Sequence, residues 1–338
     1  MKITTVEKYG ENGYRMYRIP CIVCTAKGTL LACYEARHGS DWCVLDVILK
    51  RKSVGADEWS ERICVADSLG RSTMNNPVLF TDGDTIHMLH CKNYRYLYYT
   101  KSTDDGLTWT KAREITDVPE ALLDKYNWTV CAVGPGHGLT TSGGRLIAPM
   151  WFARNTNDIN THGPNAITTI YSDDHGETWH CGEIIYSTEE FVNPNESTLA
   201  ELSDGRIMMN CRHVTKNNMR AVLISEDGSG GWSDVYFDEN LPDPICQGSL
   251  AQADDGILFT NCAATMAEGR THTTVRHSSD DGKTWDKAYE VARYGGYSDV
   301  CYDPVSKTVC AFAESGRVRE NDAFSFDLVV TEFSWDEV

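Results

Sequence analysis

The 338-residue chain reads as all-β, and three observations carry that reading. First, an eight-residue turn, Ser-x-Asp-x-Gly-x-Thr-Trp, is complete at Ser102–Trp109, Ser172–Trp179 and Ser278–Trp285. Ser225–Trp232 keeps Ser225, Asp227 and Trp232 without the threonine, and Ser53–Trp59 is a trace one residue short. Second, these serines (Ser53, Ser102, Ser172, Ser225, Ser278) stand 49, 70, 53 and 53 residues apart, a period that fits four short strands per repeat. Third, apolar segments between the turns start from a turn glycine: Gly28–Tyr34, Gly144–Pro149, Gly205–Asn210 and Gly256–Thr260. Dividing the length by a period in the fifties gives six units, so the expected architecture is a six-bladed β-propeller, one domain over residues 1–338. The 70-residue interval implies an insertion, expected near Arg154–Asn165, and a short helical turn is expected at Glu120–Lys125.

The repeated turn is structural rather than catalytic. Its Ser and Asp can bond backbone groups, its Gly admits positive φ, and its Trp packs inward. Composition agrees: 41% apolar residues suffice for a core, and nine Trp with sixteen Tyr favour strands. A net charge of −18 argues against nucleic acid and anionic membranes as partners, so an anionic substrate would need a locally basic site. The thirteen cysteines are odd in number and several lie in apolar runs, as buried thiols of a reducing compartment do. Cys21 and Cys24 lie three apart on a predicted strand, facing opposite sides, with no second ligand pair to complete a zinc site. Neither a metal nor a cofactor is expected. No segment has the length of a membrane span, and residues Met1–Glu7 lack an apolar signal core, which predicts a cytoplasmic location.

Chemistry must come from other residues. Tyr17-Arg18-Ile19-Pro20-Cys21 precedes the first turn. Arg-Ile-Pro followed by repeated Asp-boxes resembles the sialidase (neuraminidase) family over nearly the whole chain, which implies a substrate with a carboxylate on its anomeric carbon. Arginine is the side chain that offers planar, permanently charged donors to such a group. The resemblance implies three of them: Arg18, then Arg212 in Asn210-Cys211-Arg212, then Arg270 in Gly269-Arg270-Thr271, with Arg276 six residues further on. Tyr297, in Gly295-Gly296-Tyr297-Ser298-Asp299, matches the nucleophile and Glu196 the carboxylate that takes its proton. A tyrosine nucleophile is the known exception among retaining glycosidases. It avoids the repulsion that a carboxylate would meet, but its ordinary pKa of about 10 calls for a nearby base.

The general acid is implied on the loop after Glu35-Ala36-Arg37, as Asp41, with Asp46 the alternative. Arg37 resembles a further substrate-binding arginine, oriented by Glu35, and Glu314 a carboxylate that fixes Arg18. Met74 is expected as an apolar wall and the Trp128–Gly138 segment as a tight turn near the pocket, with His137 structural. Trp42 and Trp151 are candidates for the rim. The implied activity is retaining exo-sialidase action on sialylated glycans or sialosides. A non-catalytic sugar-binding propeller, or a glycosidase or transferase acting on another ulosonic acid, would show the same arginines.

Overall fold

The computed structural model describes residues 1–154, 163–316 and 325–338, so most of the insertion expected at Arg154–Asn165 lies outside the described residues. The fold is all-β and propeller-like. Several strands are buried on both faces, Leu30–Arg37 and Leu146–Ala153 throughout their length. Such strands are sandwiched between neighbouring sheets, which is why their sequences run continuously apolar instead of alternating. Helix is confined to Asp117–Glu120 and a 3-10 turn at Trp335–Glu337 among the described residues, so the expected helical turn begins earlier than Glu120.

Six separate sheets were expected, whereas the described strands form five. Three are four-stranded antiparallel meanders, beginning with Met16–Cys24, Met74–Asp82 and Ser197–Glu201. A six-stranded sheet is built on Leu146–Ala153, and a seven-stranded one closes the chain. In the latter a single 17-residue strand, Lys287–Asp303, pairs through its first half with Thr271–Ser278 and through its second half with Thr308–Ser315. The same sheet takes up the N-terminal strand, with Lys2 opposite Glu332.

The boxed turns work as the sequence suggests and also do something it did not show. In the Ser172 box the serine hydroxyl accepts the Gly176 N–H at 2.9 Å, while Asp174 accepts the Thr178 N–H at 2.8 Å and its hydroxyl at 2.6 Å. Those Thr178 bonds pull the Asp174 carboxyl down to about 2. The unexpected part is that boxes reach back to the preceding sheet. Asp105 accepts Thr25, Thr29 and Arg51; His175 meets Asp82; Asp227 accepts Arg145; and Asp281 accepts Ser203. The Trp179 ring likewise lies 5.8 Å from Phe80 of the sheet before it. Each box is therefore a staple across a seam.

Asp105→Ala is expected to cost about 2–4 kcal/mol, because it leaves Nη2 of a largely buried Arg51 and two hydroxyls without their acceptor. Burial alone would raise the Asp105 carboxyl, but bonds from Thr29, Thr25 and Arg51 outweigh it and hold the pKa below the ordinary value. A pKa lower in the folded than in the unfolded chain stabilises above the unfolded value of about 3.9, and that contribution fades as pH falls through the folded value. Denaturant melts at pH 7 and pH 3 check this: the gap between wild type and variant should shrink at the lower pH.

Candidate active site

A cavity of about 530 Å³ gathers residues from across the sequence: Arg18, Arg37, Asp41, Glu196, Arg212, Arg270 and Tyr297 all line it. Backbone irregularities place several of them. The Arg18 strand shifts register between Arg18 and Cys21, where Ile19 takes φ +60°. The Tyr297 strand shifts between Gly295 and Ser298. Bulges of this kind turn a side chain out of the regular alternation and towards a site.

Glu314 holds the centre together. It is fully buried, accepts Arg18 Nε at 2.8 Å and Nη2 at 3.1 Å, and also accepts the backbone N–H groups of Ile19 and Tyr297 at 3.2 and 3.0 Å. Gly296 makes that approach possible, since a Cβ there would lie 2.1 Å from Glu314 Oε2. The Arg18 guanidinium in turn sits 4.9 Å from the Tyr297 ring centroid.

Around the phenol the geometry suits proton transfer. Tyr297 donates to Glu196 Oε1 at 2.5 Å and accepts from Arg212 Nη1 at 2.8 Å, while the same Arg212 nitrogen bonds Glu196 Oε2. Burial is the main cause that pushes the Tyr297 pKa upward, followed by the Glu196 charge; Arg212, Arg270 and Arg18 oppose it. At rest the phenol is protonated, and the charges of Arg212, Arg270 and Arg18 favour its phenolate form against the burial. Nε of Arg212 and Nη1 of Arg270 are buried with no hydrogen-bond partner among the described residues. Buried guanidinium donors without an acceptor are costly, and an incoming anion would satisfy them.

Behind the cavity lining Glu35, fully buried, accepts Arg37 Nε at 2.7 Å and the Asn76 N–H at 2.7 Å. Arg37 bonds Asp41, whose side chain is 51% exposed on the loop and lies 3.9 Å from Arg18. Asp46 is elsewhere: Tyr14 and the Ser68 N–H occupy its two oxygens at 2.6 and 2.7 Å, and it does not line the cavity. Arg276 bonds Asn261 and also stays out of the cavity.

Met74 is a correction. It packs against the core around Cys33 and Leu49 and is not a wall of the cavity. The strand shifts register between Asn75 and Val78 with Asn76 at φ +53°, so Asn76 faces the site instead. The Asn75-Asn76-Pro77 run was the available signal for that irregularity. Trp42 and Trp151 do line the cavity, joined by Tyr94, Asn165 and Asn193, which sequence reasoning missed. Tyr94 follows Asn93 in a hairpin turn, both at positive φ, and its ring centroid lies 4.5 Å from that of Trp42. His137 meets Asp299 and does not line the cavity.

Residues 28–303 match the model of the BNR repeat-like domain. The chain is similar to a sialidase of Micromonospora viridifaciens, 30% identical over 82% of this chain and 46% of that one. It is also similar to a sialidase of Bacteroides fragilis, 29% identical over 85% of this chain and 57% of that one. The chain thus spans about half the length of the curated relatives it matches. Among solved structures, the Hadza microbial sialidase Hz136 superposes with a TM-score of 0.82 at 23% identity, covering 99% of this chain and 69% of that one.

Proposed function

This chain belongs to the BNR repeat-like domain family, and on that premise we propose that it is a retaining exo-α-sialidase. As such it is a glycoside hydrolase that removes terminal sialic acid from glycans or oligosaccharides through a tyrosyl-enzyme intermediate. The observation that carries this reading is the set of buried guanidinium donors on Arg212 and Arg270, without acceptors among the described residues, beside Arg18 and next to a phenol already bonded to a base. Such an arrangement fits a substrate whose carboxylate is attached to the reacting carbon.

In this mechanism Arg18, Arg212 and Arg270 clamp the substrate carboxylate. Asp41 protonates the departing glycosidic oxygen while the Tyr297 phenol loses its proton to Glu196 and attacks the anomeric carbon. Asp41 then takes a proton from water, which displaces the tyrosine and gives retention overall. Arg212 Nη1, in contact with both partners of the proton transfer, stabilises whichever oxygen carries the charge. We also propose that residues 1–338 form one domain of six blades. On this count the seven-stranded sheet is two blades sharing the Tyr297 strand across its register shift.

Release of an aryl aglycone from an α-sialoside, with the product anomer followed by NMR, tests the class and its stereochemistry. Early release of the β-anomer, or an inert protein that still binds free sialic acid, would sink the reading. Asp41→Asn should depress cleavage of a sialyl-oligosaccharide by about 10²–10⁴-fold, as loss of a general acid does, and cleavage of an aryl sialoside far less. Equal losses on both substrates would remove Asp41 from that role.

A further inference from the structure

The turn carrying His137 contributes nothing to the chemistry above, yet one buried carboxylate ties it to the nucleophile strand. Asp299, fully buried, lies two residues beyond Tyr297. Its Oδ1 meets His137 Nδ1 at 2.8 Å and accepts Ser249 Oγ at 2.5 Å and its neighbour Val300 N–H at 3.0 Å. Its Oδ2 accepts the N–H of Ile22 at 2.7 Å, four residues along the Arg18 strand. Gly136 turns the chain here at φ +98°, a conformation that residues with a Cβ rarely adopt. One carboxylate therefore joins the strands Met16–Cys24, Gly248–Ala253 and Lys287–Asp303 to the His137 turn.

Two ties thus connect the strand of Arg18 to that of Tyr297. Glu314 is the tie at the level of the site and Asp299 the deeper one. A single tie leaves a pivot, whereas two fix both distance and angle. We propose that Asp299, with His137 as its charged partner, is a positioning group that keeps the Tyr297 phenol in register with the Arg18 guanidinium, so that the protonation of His137 is felt at the nucleophile.

The surroundings favour a charged imidazole. Burial would lower the His137 pKa, but the Asp299 carboxylate raises it above the ordinary value. Asp299 is the charged group that faces it; Ser249 and Gln247 are neutral, and the Cys21 thiol of the Arg18 strand lies near the same carboxylate. With a raised folded pKa, the charged tie is complete below the unfolded value of about 6.5 and is lost as pH rises through the folded one.

The test has two arms, and only the kinetic arm rests on the sialidase reading. Asp299→Asn must leave one donor unmatched, and should lower kcat on an aryl α-sialoside by about 10–100-fold, the scale of a small misplacement, with KM nearly unchanged. Ser249→Ala should shift kcat the same way by less. Wild-type kcat should fall at high pH as His137 loses its proton, and His137→Gln should lose that fall. In the second arm, 3-fluorotyrosine-labelled protein, with the residue-297 fluorine resonance assigned by Tyr297→Phe, should show that resonance following the His137 titration, and His137→Gln should abolish the response. A folded Asp299→Asn, or Ser249→Ala if the former does not fold, with wild-type kcat and an unmoved fluorine resonance overturns the proposal. A fluorine resonance that tracks His137 in a protein inert towards sialosides supports it while refuting the sialidase reading.

Discussion

Tyr297→Phe is expected to lower kcat on an aryl α-sialoside by on the order of 10³-fold or more, with KM changed only a few-fold. The substitution removes one oxygen and leaves the ring that packs with Ile19, Cys246 and Cys262. That oxygen is the donor to Glu196 and the acceptor for Arg212, so nothing else in the cavity can take over its bonds in place. Arg18, Arg212 and Arg270 stay in place around the cavity, which is why ground-state binding should hold while the chemical step fails. Steady-state kinetics on a variant with a native melting transition measures this. Turnover within tenfold of wild type would remove Tyr297 from the nucleophile's position.

Arg270→Met carries the second large expectation, and it points in two directions at once. Truncating a buried charged partner of an anionic ligand costs about 2–5 kcal/mol of binding, so kcat/KM should fall by roughly 10²–10³-fold. The free protein should become more stable, since Arg270 Nη1 is buried with no acceptor among the described residues and the unbranched, apolar Met fills similar space. A thermal midpoint raised by about 2 °C or more, together with crippled turnover, is the expected pair. A lowered midpoint would mean that the guanidinium supports the fold rather than waiting for a ligand.

Much of this was legible in the sequence because it rests on short-range patterns. The boxed turns are local hydrogen-bond units, so Ser172, Asp174, Gly176 and Thr178 announce themselves within one octapeptide. The three arginines, Tyr297 and Glu196 were readable through their motifs, and all of them line one cavity. What escaped were features set by register. Met74 and Asn76 are two residues apart, and only the shift between Asn75 and Val78 decides which one meets the cavity. Asp41 and Asp46 could not be separated until Tyr14, 32 residues away, was seen to occupy Asp46. The staples from each box to the preceding sheet join residues up to 93 apart, and no local pattern marks them.

The Glu314 carboxylate has a consequence for biosynthesis. It orients Arg18 from 296 residues further along the chain, a separation that makes this among the last contacts a growing polypeptide can form. While the ribosome is still short of that point, Arg18 lacks the carboxylate that orients its Nε and Nη2. A chain interrupted there has Arg18 without Glu314 and an unfilled seam, exposed surface of the kind that chaperones and proteases act on. The Arg18 site is therefore assembled only once the Glu314 strand docks against the N-terminal sheets.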